Sequence, residues 1–233
     1  MLVLAIDTAT TRMTAGVVEL DADGVPHERS SRAGEGARTH AEHLAPWIRD
    51  VADEAGVALA GLDALVCGVG PGPFTGLRVG MVTAAALADA LGRPLHGVCT
   101  HDALARLASD AGATGVLAVT DARRREVYWT ITLDGVRRAG PAVSRPADLA
   151  AELSGGALSG ERVDTLVGDA ADALAALTGL RTAAPSGPTP AALVAVAAPD
   201  LLAGRPSGPW RPLYLRRPDA VPPGAPKPVS RPA

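Results

Sequence analysis

Apolar and polar positions alternate between strand-like and helical periods along the chain, and the order of the changes is informative. Residues 2–6 (Leu-Val-Leu-Ala-Ile) are an unbroken apolar run, the pattern of a strand covered on both faces. Residues 14–20 predict a second strand, Asp21-Ala22-Asp23-Gly24 a turn, and residues 25–31 a third strand. A helix is expected over 39–55, opened by a Thr39/Glu42 capping box and closed by Gly56. Its Leu44, Trp47, Ile48, Val51 and Ala55 fall on one face, and Pro46, beyond the first turn, predicts a slight bend. Residues 62–67 read as a strand, 68–76 as a tight loop, 75–91 as a helix, 95–98 as a strand and 101–109 as a helix.

The second half follows the same order. Strands are expected at 115–120, 126–133 and 136–143, with Asp134-Gly135 as the hairpin turn. Pro146 starts a helix to about residue 153, 163–167 is a strand, and 169–177 and 189–203 are helical. Three strands, helix, strand and helix thus occur twice, which predicts a duplicated α/β fold of two lobes with a cleft between them. Each lobe has a mixed sheet and helices. The expected division is 1–108, 109–204 and a proline-rich tail at 205–233, with helix 189–203 a candidate to pack back on the first lobe. Trp210, Leu213, Tyr214 and Leu215 give the start of the tail enough apolar surface to dock.

Composition narrows the function classes. The chain has 233 residues, and 22 Lys and Arg against 25 Asp and Glu give a net charge of −3. That excludes a strongly cationic nucleic-acid binder held by bulk charge. Hydrophobic residues make up 47%, which excludes wholesale disorder. Lys227 is the only lysine; the chain is rich in Ala, Gly, Pro and Arg, so arginine enrichment says little about phosphate binding. Cys67 and Cys99 form no CxxC pair and read as core residues. The start of the chain lacks a basic region and runs straight into Asp7, and no uninterrupted apolar run reaches membrane-spanning length, so a cytoplasmic protein is expected.

Several segments carry candidate chemistry. Asp7-Thr8-Ala9-Thr10-Thr11 joins the first two strands; such a turn either holds phosphate or bonds its own backbone. The equivalent turn of the second lobe is Asp121-Ala122-Arg123-Arg124-Arg125-Glu126, with arginines where a phosphate loop wants glycine. Val167-Gly168-Asp169-Ala170 stands where the actin, Hsp70 and sugar-kinase superfamily, which these turns resemble, has a glycine-rich adenosine-side loop, and it offers one glycine. Gly68 to Gly80 is the strongest local signal, either an anion cradle at a helix start or a connection needing positive φ, but no Gly-Lys-Ser/Thr follows. Gly76, Gly80, Ala84 and Ala88 recur every fourth residue and predict a close helix contact, within the lobe or with a partner. His40 and His43 are three apart, a spacing that suits a solvated or interface helix start better than a metal pair, so no metal is expected. His27, His96 and His101 stand alone and read as structural.

Taken together, Ile6 to Thr10, His40 to Pro46, Gly70 to Gly80, Asp121 to Tyr128 and Pro212 to Arg216 resemble the TsaB (YeaZ) family. That family supplies the non-catalytic subunit of the bacterial tRNA threonylcarbamoyladenosine complex. The resemblance implies an actin-like, Hsp70-like duplicated fold without catalytic residues or cofactor. It implies pairing with TsaD, the catalytic paralogue that transfers threonylcarbamoyl to the adenosine beside the anticodon of tRNAs reading codons that begin with A. The ATPase TsaE joins the assembly, tRNA is reached only through the complex, and no membrane is involved. The implied partner helices are 39–55 and 75–91, with His40, His43, Leu44, Trp47, Gly76, Gly80, Met81 and Ala84 as interface residues; without TsaD the same face suits a homodimer. Asp7, Thr8, Thr10 and Asp121 are then vestiges of phosphate loops. Pro73 and Arg125 depart from the family pattern, where Ser and often Gly stand. The alternative from the same superfamily is a free-standing ATP-dependent phosphotransferase.

Overall fold

The computed structural model describes residues 1–35, 40–184, 186–206 and 210–216. Thr39, expected to cap the first helix, and the tail from 217 onward lie outside the described residues. The first sheet has the order β3-β2-β1-β4-β5, from β1 (Leu2–Asp7), β2 (Arg12–Leu20), β3 (Pro26–Glu35), β4 (Ala64–Gly68) and β5 (Leu95–Val98). The second sheet has the order β10-β9-β6-β7-β8, from β6 (Gly115–Asp121), β7 (Val127–Leu133), β8 (Val136–Ser144), β9 (Thr165–Val167) and β10 (Arg181–Ala183). In both, the first three strands form an antiparallel meander and the later strands add in parallel through helical crossovers. Strand for strand, the two sheets repeat one topology: the duplicated actin-like fold that the sequence predicted. Among the strands of the described residues, β10 alone was not foreseen; its three residues, Arg-Thr-Ala, are too few and too polar to show a period.

The apolar run of β1 is explained by burial on both faces. Leu4 and Ile6 point to one side, where α1 (His40–Glu54) and α2 (Phe74–Leu91) contribute Leu44, Ile48, Val51, Leu77 and Met81. Val3 and Ala5 point to the other side, against Leu193, Val194 and Ala197 of α6 (Pro190–Leu202). Each of the leucine, isoleucine, valine and methionine side chains taken fully from water contributes about 1.5–3 kcal/mol. Gly16 sets the depth at which α6 sits, because a Cβ there would stand 2.7 Å from Pro190 Cγ.

α3 (Thr100–Asp110) follows the first sheet in sequence but packs on the second, placing Leu104, Ala105 and Ala108 against Val116, Ala118 and Val167. α3 and α6 also touch each other, so they form a shared layer between the sheets. The far face of the second sheet is covered by α4 (Pro146–Gly155) and α5 (Ala171–Thr178) through Leu149 and Leu174. Cys67 and Cys99 are buried free thiols. His101 is buried in the shared layer, bonded to Thr130 and Thr120 at 2.8 and 2.9 Å, and burial drives its pKa down to about 3. It is a neutral structural crosslink between α3 and the second sheet. Among the described residues, α2 alone matches a membrane span in length and composition, yet it lies on β1 and β4.

Candidate functional site

The C-terminal ends of β1 and β4 bring Asp7 and the Gly68–Gly76 loop together. Asp7 is fully buried. Thr100 Oγ1 donates to its Oδ2 and the Ala9 amide to its Oδ1, both at 2.7 Å. Burial nonetheless outweighs these bonds and raises the carboxyl to about 6. Gly68 seals it from the β4 side: a Cβ there would lie 1.7 Å from Asp7 Oδ2. A carboxyl closed in this way acts as an internal strut that ties the β1–β2 turn to the start of α3. Thr100, which the sequence reading did not single out, is its main partner.

Thr8 and Thr10 are also used internally. Thr8 Oγ1 donates to the Gly76 carbonyl at 2.7 Å and accepts from the Gly80 amide at 3.0 Å. Thr10 Oγ1 donates to the Arg12 carbonyl at 2.9 Å. Gly72 lies against Ala9, where a Cβ would be 2.2 Å from the Ala9 carbonyl oxygen. The glycines of the Gly70–Gly80 segment therefore let a loop and a helix close onto the β1–β2 turn. A cleft of about 260 Å³ remains beside them, lined by Thr8, Thr10, Thr11, Phe74, Gly76 and Arg123 among others.

Across that cleft lies the Arg-rich turn. Arg123, Arg124 and Arg125 have φ of 64°, 53° and 62°, a left-handed run that arginine adopts only under constraint. The Asp121 Oδ1 accepts the Arg123 amide at 2.8 Å and helps to hold it. Asp169 joins the two sides: its Oδ2 accepts from Thr11 N and Oγ1 at 3.2 and 2.7 Å, and its Oδ1 from the Asp121 amide at 2.9 Å. Residues 210–216 cross the same gap. The Leu213 amide donates to the Val69 carbonyl at 2.8 Å, and Arg216 donates to the Ala122 carbonyl at 2.8 Å and to Glu126 at 2.5 Å. Neither Asp169 nor Arg216 carried a signal for this, because both bonds link segments distant in sequence.

The expected partner-facing residues divide. Leu44, Gly80, Met81 and Ala84 are buried in their own lobe, so the expectation that they face a partner is corrected. The small-residue row of α2 serves Thr8: a Cβ on Gly80 would stand 2.4 Å from its Oγ1. Gly76 is half-buried and occupied by Thr8, and Trp47 is half-buried against Gly34. His43 is exposed and stacks on Trp47 with ring centroids 6.3 Å apart; the His40 side chain lies outside the described residues. The exposed side of α2 is the opposite row, Phe74, Arg78, Val82, Ala86 and Ala90, with Val82 65% exposed. At its start, Arg78 lies 3.7 Å over the Phe74 ring and donates to the Tyr214 hydroxyl at 2.8 Å. Among the described residues no three His, Cys, Asp or Glu side chains gather as a metal site would require.

Comparison with known proteins agrees with this architecture. Residues 34–201 match the family model described as TsaD, tRNA N6-adenosine threonylcarbamoyltransferase. An uncharacterized Mycobacterium leprae protein is 48% identical over 222 residues, 95% of this chain; the chain spans 56% of that protein. The Escherichia coli tRNA threonylcarbamoyladenosine biosynthesis protein TsaB is 39% identical over 130 residues, 55% of this chain and 54% of TsaB. The structure of YeaZ from Pseudomonas aeruginosa superposes with a TM-score of 0.72 at 32% identity, over 92% of this chain and 99% of YeaZ. With the family model spanning most of the chain and YeaZ matched over nearly its full length, the chain belongs to the TsaB (YeaZ) family.

Proposed function

We propose that the chain is a cytoplasmic, non-catalytic subunit for threonylcarbamoyladenosine modification of tRNA, and that it acts by binding a TsaD-type catalytic subunit through the exposed side of α2. Family membership supports the pathway, since the E. coli relative is named for it. The observation that carries the scaffold role is the contrast between cleft and surface. The cleft acid Asp7 is sealed and the hydroxyls of Thr8 and Thr10 are consumed by backbone. Meanwhile the 18-residue α2 leaves Val82, Ala86 and Ala90 uncovered beyond the Phe74, Arg78 and Tyr214 cluster at its start. An apolar row of this kind marks a protein contact. On α1, which packs beside α2, exposed His43 stacks on half-buried Trp47 and offers a second aromatic contact.

On this reading TsaE and tRNA join through the assembled complex, and a second copy of the chain covers α2 when TsaD is absent. The phosphotransferase alternative needs a carboxylate open to the cleft, and Asp7 is closed on every side. The test is co-purification with TsaD from the same cells. Stable association that Val82→Glu abolishes is expected; association unaffected by Val82→Glu would move the contact away from α2.

A further inference from the structure

We propose that Asp169 and Arg216 form a two-point latch that holds the lobes closed over the cleft. Asp169, on the loop between β9 and α5, presents one carboxylate oxygen to each side. Oδ2 takes two donors from Thr11 at the β1–β2 turn, and Oδ1 takes the Asp121 amide at the end of β6. Gly168 makes the approach possible: its φ is +117°, and a Cβ there would be 2.2 Å from the Val119 carbonyl oxygen. The loop is therefore pressed against β6 and has little freedom to withdraw.

Arg216 supplies the second point, with the opposite charge. Residues 210–216 are anchored on the first lobe by Trp210 beside Val69 and Gly97, by the Leu213–Val69 bond and by the Phe74–Tyr214 ring pair at 4.9 Å. The strap ends on the Arg-rich turn of the second lobe, where the Arg216 guanidinium binds the Ala122 carbonyl and Glu126. These bonds tie down the turn in which Arg123, Arg124 and Arg125 hold positive φ. Charge-assisted bonds of this type are roughly twice as strong as neutral ones, and here they act at both ends of one gap. The inference concerns the lobes alone and holds whether or not a partner covers α2.

The experiment measures the lobes directly. Spin labels go on Asp53→Cys and Arg162→Cys, exposed positions on opposite lobes; Cys67 and Cys99 are buried and stay unlabelled. Pulsed EPR on the full chain should give one narrow distance, and the Asp169→Ala/Arg216→Ala double variant a broadened and longer distribution. Hydrogen exchange provides the second measurement. In Asp169→Ala the Thr11 and Asp121 amides should exchange roughly tenfold faster, the loss expected for one charged hydrogen bond, while the core amides of Leu4 and Leu117 stay unchanged. Thr11→Val, which removes one donor and leaves the carboxylate, should shift the Thr11 amide less. An unchanged distance distribution in the double variant would overturn the latch, as would exchange that accelerates uniformly through both sheets.

Discussion

Gly80→Ala should destabilise the protein although alanine is the better helix former. A glycine in mid-helix costs about 1 kcal/mol relative to alanine, so on an uncrowded face the change would stabilise. Here the added Cβ would stand 2.4 Å from Thr8 Oγ1 and 3.2 Å from Thr8 Cγ2. Thr8 has little room to retreat, because its hydroxyl is held by the Gly76 carbonyl and the Gly80 amide. Overpacking costs about 1–3 kcal/mol, and each disturbed hydrogen bond adds about 1 kcal/mol. Against the propensity gain, the net loss is about 1–3 kcal/mol. Urea unfolding of wild type, Gly80→Ala, Thr8→Ala and the double variant measures this as a cycle. Thr8→Ala alone should cost about 1–2 kcal/mol. In the double variant the clash is gone, so the two changes should be less harmful together than their sum. A stabilised Gly80→Ala, or strict additivity, would refute the packing of α2 on the β1–β2 turn.

Three further outcomes follow from the buried ionisable groups and the exposed helix face. Asp7 has a folded pKa raised to about 6 from an ordinary 3.8, so its contribution is fully present below the unfolded value and is lost as pH rises through 6. Asp7→Asn should therefore change stability relative to wild type by on the order of 2–3 kcal/mol between pH 4 and 6.5, and a pH-independent difference would contradict the burial. His101 acts in the opposite sense: its pKa is lowered to about 3, so stability falls as pH drops below the unfolded value of 6.5, and its ring NMR signals should not titrate between pH 5 and 8. Ring shifts that titrate near 6.5 would show that the imidazole is reached by water. Val82→Glu, at a position 65% exposed, should leave the urea midpoint within about 0.5 kcal/mol of wild type; a large loss would place Val82 inside the lobe.

Most of the fold was legible because strand and helix periods in this chain are strong. β1 read as a buried strand from five apolar residues, and both of its faces are covered. The repeat of the element order carried the duplication. The exchange of α3 and α6 into a layer between the sheets was less legible. Helix 189–203 was a candidate for the first lobe, but nothing in 101–109 marked it for the second. The orientation of the α2 small-residue row was also open, since a period of four shows that a helix packs closely and not against what. Thr8 decides it, and Thr8 lies 72 residues away from Gly80. Asp169 and Arg216 were hidden for the same reason: their bonds reach across 158 and 94 residues.

The central claim is that the exposed side of α2, and not the cleft, serves tRNA modification. The direct measurement is the threonylcarbamoyladenosine content of tRNA in cells depleted of this chain and supplied with wild type, Asp7→Asn or Val82→Glu. The account predicts that Asp7→Asn restores the modified nucleoside as wild type does and that Val82→Glu, though folded and expressed, does not. Restoration by Val82→Glu together with failure of Asp7→Asn would contradict it and return the chemistry to the cleft.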